Sequence, residues 1–311
     1  GNVDIANGAK ISVGNRMGND KESVAVYYAG SNGTITNSTS NITIGNGSYG
    51  FVVKGGLNNT LYSHNPSNGT VDLTTDAVYI YSEDHKGKVH NATNLRSSAT
   101  GEINYGIYTN GGGTNSGNFD FSAGKGNVGI YSYFKDPNYM NNVNSKGEYI
   151  ASLNYVPEKF ENTGTINVGP SNTMTKEFGI GMATGYFDEA TGAVSNRGTV
   201  VNRGVINVTT PNSIGMYAVG AGSKAINETS GIINLSGANT VGMYIDQGAT
   251  GINYGTIKTV ATGSKMKGVV LANGGILKNY GNIEITGPDT MGVYSDGTGS
   301  VSMPYAEDED S

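Results

Sequence analysis

The stretch GVINVTTPNSIGMY, from Gly204 to Tyr217, is repeated as GIINLSGANTVGMY from Gly231 and as GNIEITGPDTMGVY from Gly281. A degraded copy, GTIKTVATGSKMKGVV, starts at Gly255, so the leading glycines are 27, 24 and 26 residues apart. A repeat of this length has to be recognised before its parts are interpreted as motifs, because each part then recurs for structural reasons. The NYG sequences that precede two of these copies are therefore interpreted as turns of a repeating unit.

The second half of the unit, an apolar-Gly-apolar-Tyr pattern, can be followed through the whole chain. Its Gly or Ala marks each copy, at Ala25, Gly50, Ala77, Gly106, Gly129, Gly179, Gly215, Gly242, Gly268 and Gly292. Most steps are 23 to 29 residues, and the step of 50 residues after Gly129 is interpreted as two periods with one copy unrecognisable. The sequence therefore predicts about eleven or twelve coils of about 26 residues.

The local pattern decides between helical and β-strand repeats. Ile206 and Val208 alternate with polar residues, as do Ile214 and Met216, and this period of two is typical of strands. No stretch keeps the spacing of an amphipathic helix, and Gly, Asn, Thr, Val and Ile dominate where helix formers would be needed. We therefore predict an all-β fold, a right-handed parallel β-helix whose stacked coils make a rod on the order of 55 Å long.

Composition excludes several classes of function. The 311 residues include 49 glycines and no cysteine, so disulfides, cysteine nucleophiles and cysteine metal sites are excluded. A net charge of -6 argues against nucleic acid as a partner, because phosphate binding needs a basic face. No apolar run approaches the roughly 18 residues of a membrane span, so we expect no direct membrane insertion.

Two columns of repeated residues are expected to be structural. The asparagines that precede the leading glycine should form one ladder, at Asn202, Asn227, Asn253 and Asn279. With the apolar residues of the second half facing inward, Gly and Tyr should face outward, which predicts an outer row at Tyr27, Tyr79, Tyr108, Tyr131, Tyr217, Tyr244 and Tyr294. This row is either a stabilising aromatic ladder or a platform for a sugar or a protein. Lys267 occupies a predicted inward position, so either that coil shifts by one residue, with Met266 in the core, or the lysine reaches out. We expect the shift, because a buried lone ammonium group is costly.

Interruptions of the period predict loops, which in solenoids often carry the binding face. We expect one continuous β-helix over residues 1–304, with insertions at about 57–69, 131–161 and 183–198, and a flexible acidic tail at 305–311. The longest insertion is rich in aromatic residues, and either it binds a partner or it caps an exposed part of the core. Candidate partner-binding residues within it are Tyr133, Phe134, Tyr139, Tyr149 and Tyr155.

The sequence carries no recognisable catalytic constellation. Enzymes built on β-helices act mostly on acidic polysaccharides and need convergent carboxylates with a basic residue on one face. The aspartates here are scattered singly, and no nucleophile elbow or phosphate-binding loop is present. We therefore expect no enzyme activity, no cofactor and no metal, and we keep a polysaccharide-acting lyase or hydrolase as the alternative function.

The units NYGTI, NYGNIEI, SIGMYA and TVGMY, spread over nearly the whole chain, resemble the passenger repeats of large fusobacterial-type autotransporter adhesins, which are type V secreted proteins. This resemblance implies a long β-helical stalk on the bacterial surface, preceded by a signal peptide and anchored by a C-terminal outer-membrane barrel. The chain would then be an internal passenger fragment and a monomer. Its implied function is adhesion, through binding of host or bacterial surface proteins or glycans.

Overall fold

The computed structural model describes residues 1–19, 22–54, 58–135 and 158–302. In these ranges the chain is built from strands and turns, without helices, and the predicted all-β parallel β-solenoid is confirmed. Each coil contributes one strand to each of three faces, and nearly all of these strands pair in parallel with a counterpart one coil away. Within the described part, no helix could cross a membrane.

The three faces are called sheets 1, 2 and 3 in the order in which a coil passes through them. Sheet 1 contains β1 (Asn2–Ile5), β4 (Thr34–Asn37), β7 (Thr60–Ser63), β10 (Lys88–Asn91), β13 (Gly112–Asn115), β16 (Lys159–Asn162), β21 (Thr199–Asn202), β24 (Lys224–Asn227), β27 (Thr250–Asn253), β30 (Ile276–Asn279) and β33 (Ser300–Ser302). Sheet 2 consists of a pair, β2 (Ile11–Val13) and β5 (Ile42–Ile44), followed by β8 (Thr70–Leu73), β11 (Asn94–Ser97), β14 (Phe119–Asp120), β17 (Thr165–Val168), β22 (Val205–Val208), β25 (Ile232–Leu235), β28 (Thr256–Thr259) and β31 (Asn282–Glu284). Sheet 3 contains β3 (Val24–Tyr28), β6 (Tyr49–Val53), β9 (Val78–Ser82), β12 (Tyr105–Thr109), β15 (Val128–Ser132), β18 (Ile180–Thr184), β23 (Ile214–Val219), β26 (Val241–Asp246), β29 (Lys267–Leu271) and β32 (Met291–Ser295). A separate antiparallel hairpin joins β19 (Tyr186–Asp188) to β20 (Ala193–Asn196).

The number of coils is lower than the sequence predicted. Sheet 3 has ten strands, which makes about nine turns instead of eleven or twelve. The difference arises after Gly129, where β15 pairs directly with β18 and the marker of the next copy is Gly181, not Gly179. The long step is therefore a single coil that carries an insertion, and no missing copy lies between these strands.

The glycine of the repeat faces the core, not the solvent as predicted. A Cβ at Gly215 would lie 2.6 Å from the carbonyl oxygen of Gly242 and 3.1 Å from a methyl carbon of Ile233. Glycine is needed there because stacked coils approach more closely than a side chain allows. The next residue, Met216, is also buried, so two consecutive residues point inward. The residue before the glycine, Ile214, points outward, because it lines a cavity with Tyr244 and Tyr294.

This outward position explains Lys267 without the expected shift of the coil. Lys267 pairs in register with Val241 and Met291, and its side chain is only partly buried. Met266 is fully buried, but as the residue that precedes the strand. The prediction of a one-residue slip is therefore wrong, because the position was outward from the start and an ammonium group there remains solvated.

Tyr79 was predicted to lie in the outer row, and the structure contradicts this. It occupies the position of the inward glycine in β9, between Gly50 and Gly106, and its side chain is fully buried. Its ring packs edge-on against Phe51 at a centroid distance of 5.6 Å, and its hydroxyl lies 2.7 Å from the Ser63 hydroxyl. The outward tyrosine of this coil is Tyr81, two residues later.

The repeated asparagines form a chain of side-chain amides inside the solenoid. The Nδ2 groups of Asn202, Asn227 and Asn253 donate to the Oδ1 of the next asparagine at 3.0, 2.9 and 2.8 Å, ending on Asn279. Each Nδ2 also donates to a nearby backbone carbonyl, that of Gly204 at 3.2 Å for Asn202. These asparagines end strands of sheet 1 and do not have a left-handed backbone. Left-handed asparagines, such as Asn212 and Asn239, lie in the turns between strands.

The expected insertions differ in how the structure places them. The stretch 57–69 contains β7, which belongs to sheet 1, so this part of the period is an ordinary coil. The stretch 131–161 begins inside β15 and ends inside β16. Residues 136–157, between these strands, lie outside the described residues. The stretch 183–198 contains the β19–β20 hairpin. The acidic tail at 305–311 lies outside the described residues.

Candidate binding site on the tyrosine face

The outer surface of sheet 3 carries one column of residues that stack in register from coil to coil. The column, called the outer row, consists of Tyr27, Val52, Tyr81, Tyr108, Tyr131, Ala183, Tyr217, Tyr244, Val270 and Tyr294. Seven of its ten members are tyrosines. Of the residues named from the sequence, Tyr217 and Tyr244 pack at a centroid distance of 5.7 Å, and Tyr294 is 42% exposed.

A cluster of six partly buried tyrosines covers four neighbouring coils of this face. This tyrosine cluster contains Tyr49, Tyr81, Tyr105, Tyr108, Tyr131 and Tyr133. Tyr108 lies at its centre, with centroid distances of 5.4 Å to Tyr81, 5.0 Å to Tyr105, 5.0 Å to Tyr131 and 5.2 Å to Tyr133. Edge-on and tilted contacts of this kind each stabilise by roughly 0.5–1.5 kcal/mol beyond burial.

Two members of the cluster were missed by sequence reasoning. Tyr49 and Tyr105 occupy the residue before the inward glycine, which the sequence analysis placed in the core. The signal that could have identified them is Lys267, which shares the same position in β29. A lysine at one copy indicates that the position faces solvent at the others.

The cluster has a charged rim at one end. The Tyr81 hydroxyl donates to Glu83 Oε1 at 2.9 Å, and Lys54 Nζ lies 2.6 Å from the same oxygen. Burial is the main reason why the pKa of Tyr108 rises to about 12, with neighbouring phenols adding to the effect. Burial raises the pKa of Tyr81, Tyr131 and Tyr133 as well, and for Tyr81 the Glu83 carboxylate reinforces the shift.

These shifts predict a loss of stability at alkaline pH. In the unfolded chain the phenols titrate near pH 10, whereas in the folded chain their pKa values are raised. Protons are then released by the unfolded state first, so the free energy of unfolding should be unaffected by these groups below about pH 10 and should fall above it. Denaturant midpoints measured from pH 8 to 11, with phenolate absorbance as a second signal, test this.

Tyr108→Phe provides the control for the alkaline loss, because the ring stays and the titrating hydroxyl is removed. This variant should lose less stability than the wild type between pH 10 and 11. Folded-state phenols that all titrate near pH 10 would contradict the prediction.

The residues proposed from the long insertion are divided by the structure. Tyr133 belongs to the tyrosine cluster, 5.2 Å from Tyr108. Phe134 is buried, at 2% exposure, and is therefore unavailable to a partner. Its backbone is left-handed, with a φ of 41°. Tyr139, Tyr149 and Tyr155 lie outside the described residues.

Three members of the outer row are not tyrosines, and two of them, Ala183 and Val270, line cavities. At Ala183 a cavity of about 300 Å³ opens between Tyr131 and Tyr217, with the β19–β20 hairpin as one wall. The Tyr131 hydroxyl donates to the Gly185 carbonyl at 2.5 Å and so ties the start of the hairpin to the cluster. At Val270 a cavity of about 330 Å³ opens between Tyr244 and Tyr294.

The described residues contain no group of three or more His, Cys, Asp or Glu side chains placed to hold a metal ion. The face described above therefore offers aromatic surface, cavities and hydrogen-bonding groups at its rim. Such surfaces bind ligands by stacking and by apolar contact.

Comparison with known proteins gave one result. The family model described as the BigA third pectate lyase-like domain matches residues 1–256 of the 311-residue chain. This is a family of β-helix domains of bacterial surface proteins, in agreement with the observed solenoid. No curated protein and no solved structure matched the chain. The chain therefore belongs to the BigA third pectate lyase-like domain family.

Proposed function

We propose that this chain is a segment of an autotransporter adhesin passenger, held at the bacterial surface, which binds host or bacterial surface molecules through its tyrosine face. The stiff solenoid displays the face, and the tyrosines make the contacts. The ligand is a protein or a glycan, because both classes bind aromatic platforms. The chain acts as a monomer and needs no cofactor.

The observation that carries this proposal is the tyrosine cluster. A column needs only one ring per coil to be stabilised, yet this cluster gathers six within four coils, all with part of the ring exposed. Clusters of exposed aromatic residues on a rigid support are typical of binding sites, since tyrosine gives a large contact area with few rotatable bonds. Membership of a family of surface-protein domains supports the proposed location.

Binding should be measured with the purified chain against a glycan array, a panel of surface proteins and whole cells. In the triple variant Tyr81→Ser, Tyr108→Ser and Tyr133→Ser, we expect at least a tenfold loss of affinity, because central aromatic contacts contribute about 2 kcal/mol or more each. Circular dichroism and a thermal melt establish that the variant remains folded.

The chain contains a matched control for this experiment. Tyr254 and Tyr280 stack at a centroid distance of 5.0 Å and are 41% and 51% exposed, but they lie at another corner of the solenoid. Replacing both by serine should leave binding unchanged. Equal losses in the two variants would contradict a site on sheet 3. A deletion confined to residues 136–157 tests the long insertion without cutting β15 or β16.

A polysaccharide-acting enzyme is the second candidate, favoured by the pectate lyase-like description of the family. It is tested by incubating the chain with acidic polysaccharides, with and without Ca²⁺, and by measuring unsaturated or reducing ends. Turnover by the wild type that is unaffected by the tyrosine substitutions would favour this candidate over the adhesin.

A further inference from the structure

We propose that the cavity at Ala183, called the Ala183 slot, binds an organic cation of the quaternary ammonium type. The inference deepens the proposed function, on which it rests for its biological setting, because the slot continues the tyrosine face. The shape, lining and charge of the slot all favour such a cation.

The slot exists because one ring is missing from the outer row. Tyr131, Ala183 and Tyr217 occupy successive coils in register, and the alanine methyl leaves the space of a tyrosine ring empty. Coils are about 4.8 Å apart, so a group above Ala183 lies roughly 5 Å from the coil of each flanking tyrosine. A cation interacts with an aromatic face within about 6 Å of its centroid, so this spacing suits a cation between two rings.

Further aromatic side chains line the slot. Tyr105 and Val128 lie on the side of the tyrosine cluster, and the hairpin contributes Tyr186 and Phe187. With the two flanking tyrosines, five aromatic residues therefore border a space of about 300 Å³. Aromatic walls on several sides are the arrangement by which proteins recognise quaternary ammonium groups.

The charge of the slot selects a cation over a neutral or anionic group. The described residues that line it include two carboxylates, Glu189 and Asp246, and no lysine or arginine. Asp246 is held in place by Asn273, whose Nδ2 donates to it at 2.9 Å. Burial raises the pKa of Tyr217, and the nearby Asp246 carboxylate adds to the effect. The slot is therefore aromatic and negative.

The second gap in the outer row gives an internal comparison. The cavity at Val270 is also flanked by two tyrosines, but its lining contains Lys267 and none of the carboxylates of the described chain. It is similar in volume, at about 330 Å³, and opposite in charge. A cation should therefore bind at Ala183 and not at Val270.

The test uses choline and its neutral carbon isostere, 3,3-dimethylbutanol, titrated into the purified chain by calorimetry and by saturation-transfer NMR. We expect choline to bind with millimolar or tighter affinity and the isostere at least about tenfold more weakly. Equal affinity for the two, or no binding of choline, would overturn the proposal. Vesicles with and without phosphatidylcholine distinguish a lipid headgroup from free choline as the source of the cation.

Two variants locate the site. Ala183→Tyr completes the outer row, so it should keep the fold while abolishing choline binding, and Asp246→Asn should weaken binding severalfold with the shape retained. The control is Val270→Tyr, which fills the other cavity and should bind choline as the wild type does. Choline binding that persists in A183Y would overturn the assignment to this slot.

Cell adhesion measured on the same variants separates this proposal from the adhesive function. Choline binding without adhesion would support the slot and contradict the adhesin. Adhesion without choline binding would overturn the slot and leave the adhesin standing.

Discussion

Replacing Tyr79 by alanine should lower the free energy of unfolding by about 3–5 kcal/mol, the usual cost of removing a large aromatic side chain from a filled core. Tyr79 is fully buried, packs against Phe51 at 5.6 Å and contacts the Ser63 hydroxyl at 2.7 Å. Burial also raises the pKa of its phenol. Urea or guanidinium denaturation, followed by circular dichroism, measures the loss.

Tyr79→Phe separates packing from hydrogen bonding. The ring stays and only the hydroxyl is removed, so we expect a smaller loss of about 1–2 kcal/mol. Ser63 keeps a second partner, because its hydroxyl also lies 2.6 Å from that of Thr93. A loss in the phenylalanine variant as large as in the alanine variant would contradict a mainly packing role.

Tyr79 and Ser63 should be energetically coupled, because together they replace the pattern of the other coils. Ser63 stands in the column of buried asparagines, between Asn37 and Asn91, and Tyr79 stands in the column of inward glycines. The phenol thus reaches the polar column from the opposite side of the coil. We expect the double variant Ser63→Asn and Tyr79→Gly to be more stable, by about 1–3 kcal/mol, than the sum of the single losses predicts. Strict additivity would contradict this interpretation.

The second large effect is expected at Asn227, in the middle of the amide chain. Asn227→Leu keeps the branched shape but leaves Asn202 Nδ2 with only the Gly204 carbonyl as acceptor and Asn253 Oδ1 without its donor from Asn227, contacts that measure 3.0 and 2.9 Å in the wild type. Each unsatisfied buried group costs about 1–3 kcal/mol, so a loss of about 3 kcal/mol in the free energy of unfolding is expected. Denaturant unfolding at neutral pH provides the measurement.

Asn234→Leu is the matched control for this variant. Asn234 belongs to a similar asparagine column on the outside of sheet 2, where its Nδ2 donates to Asn207 Oδ1 at 2.9 Å, but it is only partly buried. Only this one hydrogen bond is lost, because Asn234 Oδ1 has no partner in the described part of the chain, and water can replace the donor at the partly buried Asn207, so the loss should stay below about 1 kcal/mol. Similar losses at the two positions would show that burial does not set the cost.

Asn227→Asp adds a pH-dependent test. The ionised carboxylate of this variant has only acceptor oxygens, and it would face Asn253 Oδ1, which is also an acceptor. The pKa of the introduced carboxyl group should therefore be higher in the folded state than in the unfolded state. The variant should then be least destabilised in acid, where the protonated carboxyl can donate, and should lose stability as the pH rises through the raised pKa. Stability that is independent of pH relative to the wild type would contradict this.

The period and the polar columns follow from the sequence because they are local. Ile206 and Val208 alternate with polar residues within a single strand, and Asn202 and Asn227 recur at a fixed distance from a turn. Any parallel stack of such units must place them one above another. The solenoid fold is thus predictable, since it depends on the repeat alone.

The orientation of the residues around the repeated glycine was decided only by stacking. Strict alternation predicts that Gly215 faces outward, but the close approach of Gly242 makes two consecutive residues face inward. Because of this one irregularity, the position before the glycine faces outward, although alternation predicts that it faces inward. Lys267, Tyr49 and Tyr105 occupy this position and were therefore assigned to the wrong side of the sheet. Phe134 was proposed as a contact residue because it lies in the long insertion, and only the tertiary structure shows that it is buried.

By itself, then, the sequence determined the coil, its period of about 26 residues and the columns of Asn and Tyr, because these depend on contacts within a unit. Only the tertiary structure decided that Tyr79 meets Ser63 across the core, and that Ala183 leaves a gap beside Tyr131, 52 residues earlier in the chain. Those contacts depend on the register between coils. That register is set by backbone pairing, and variable insertions hide it from any count along the sequence.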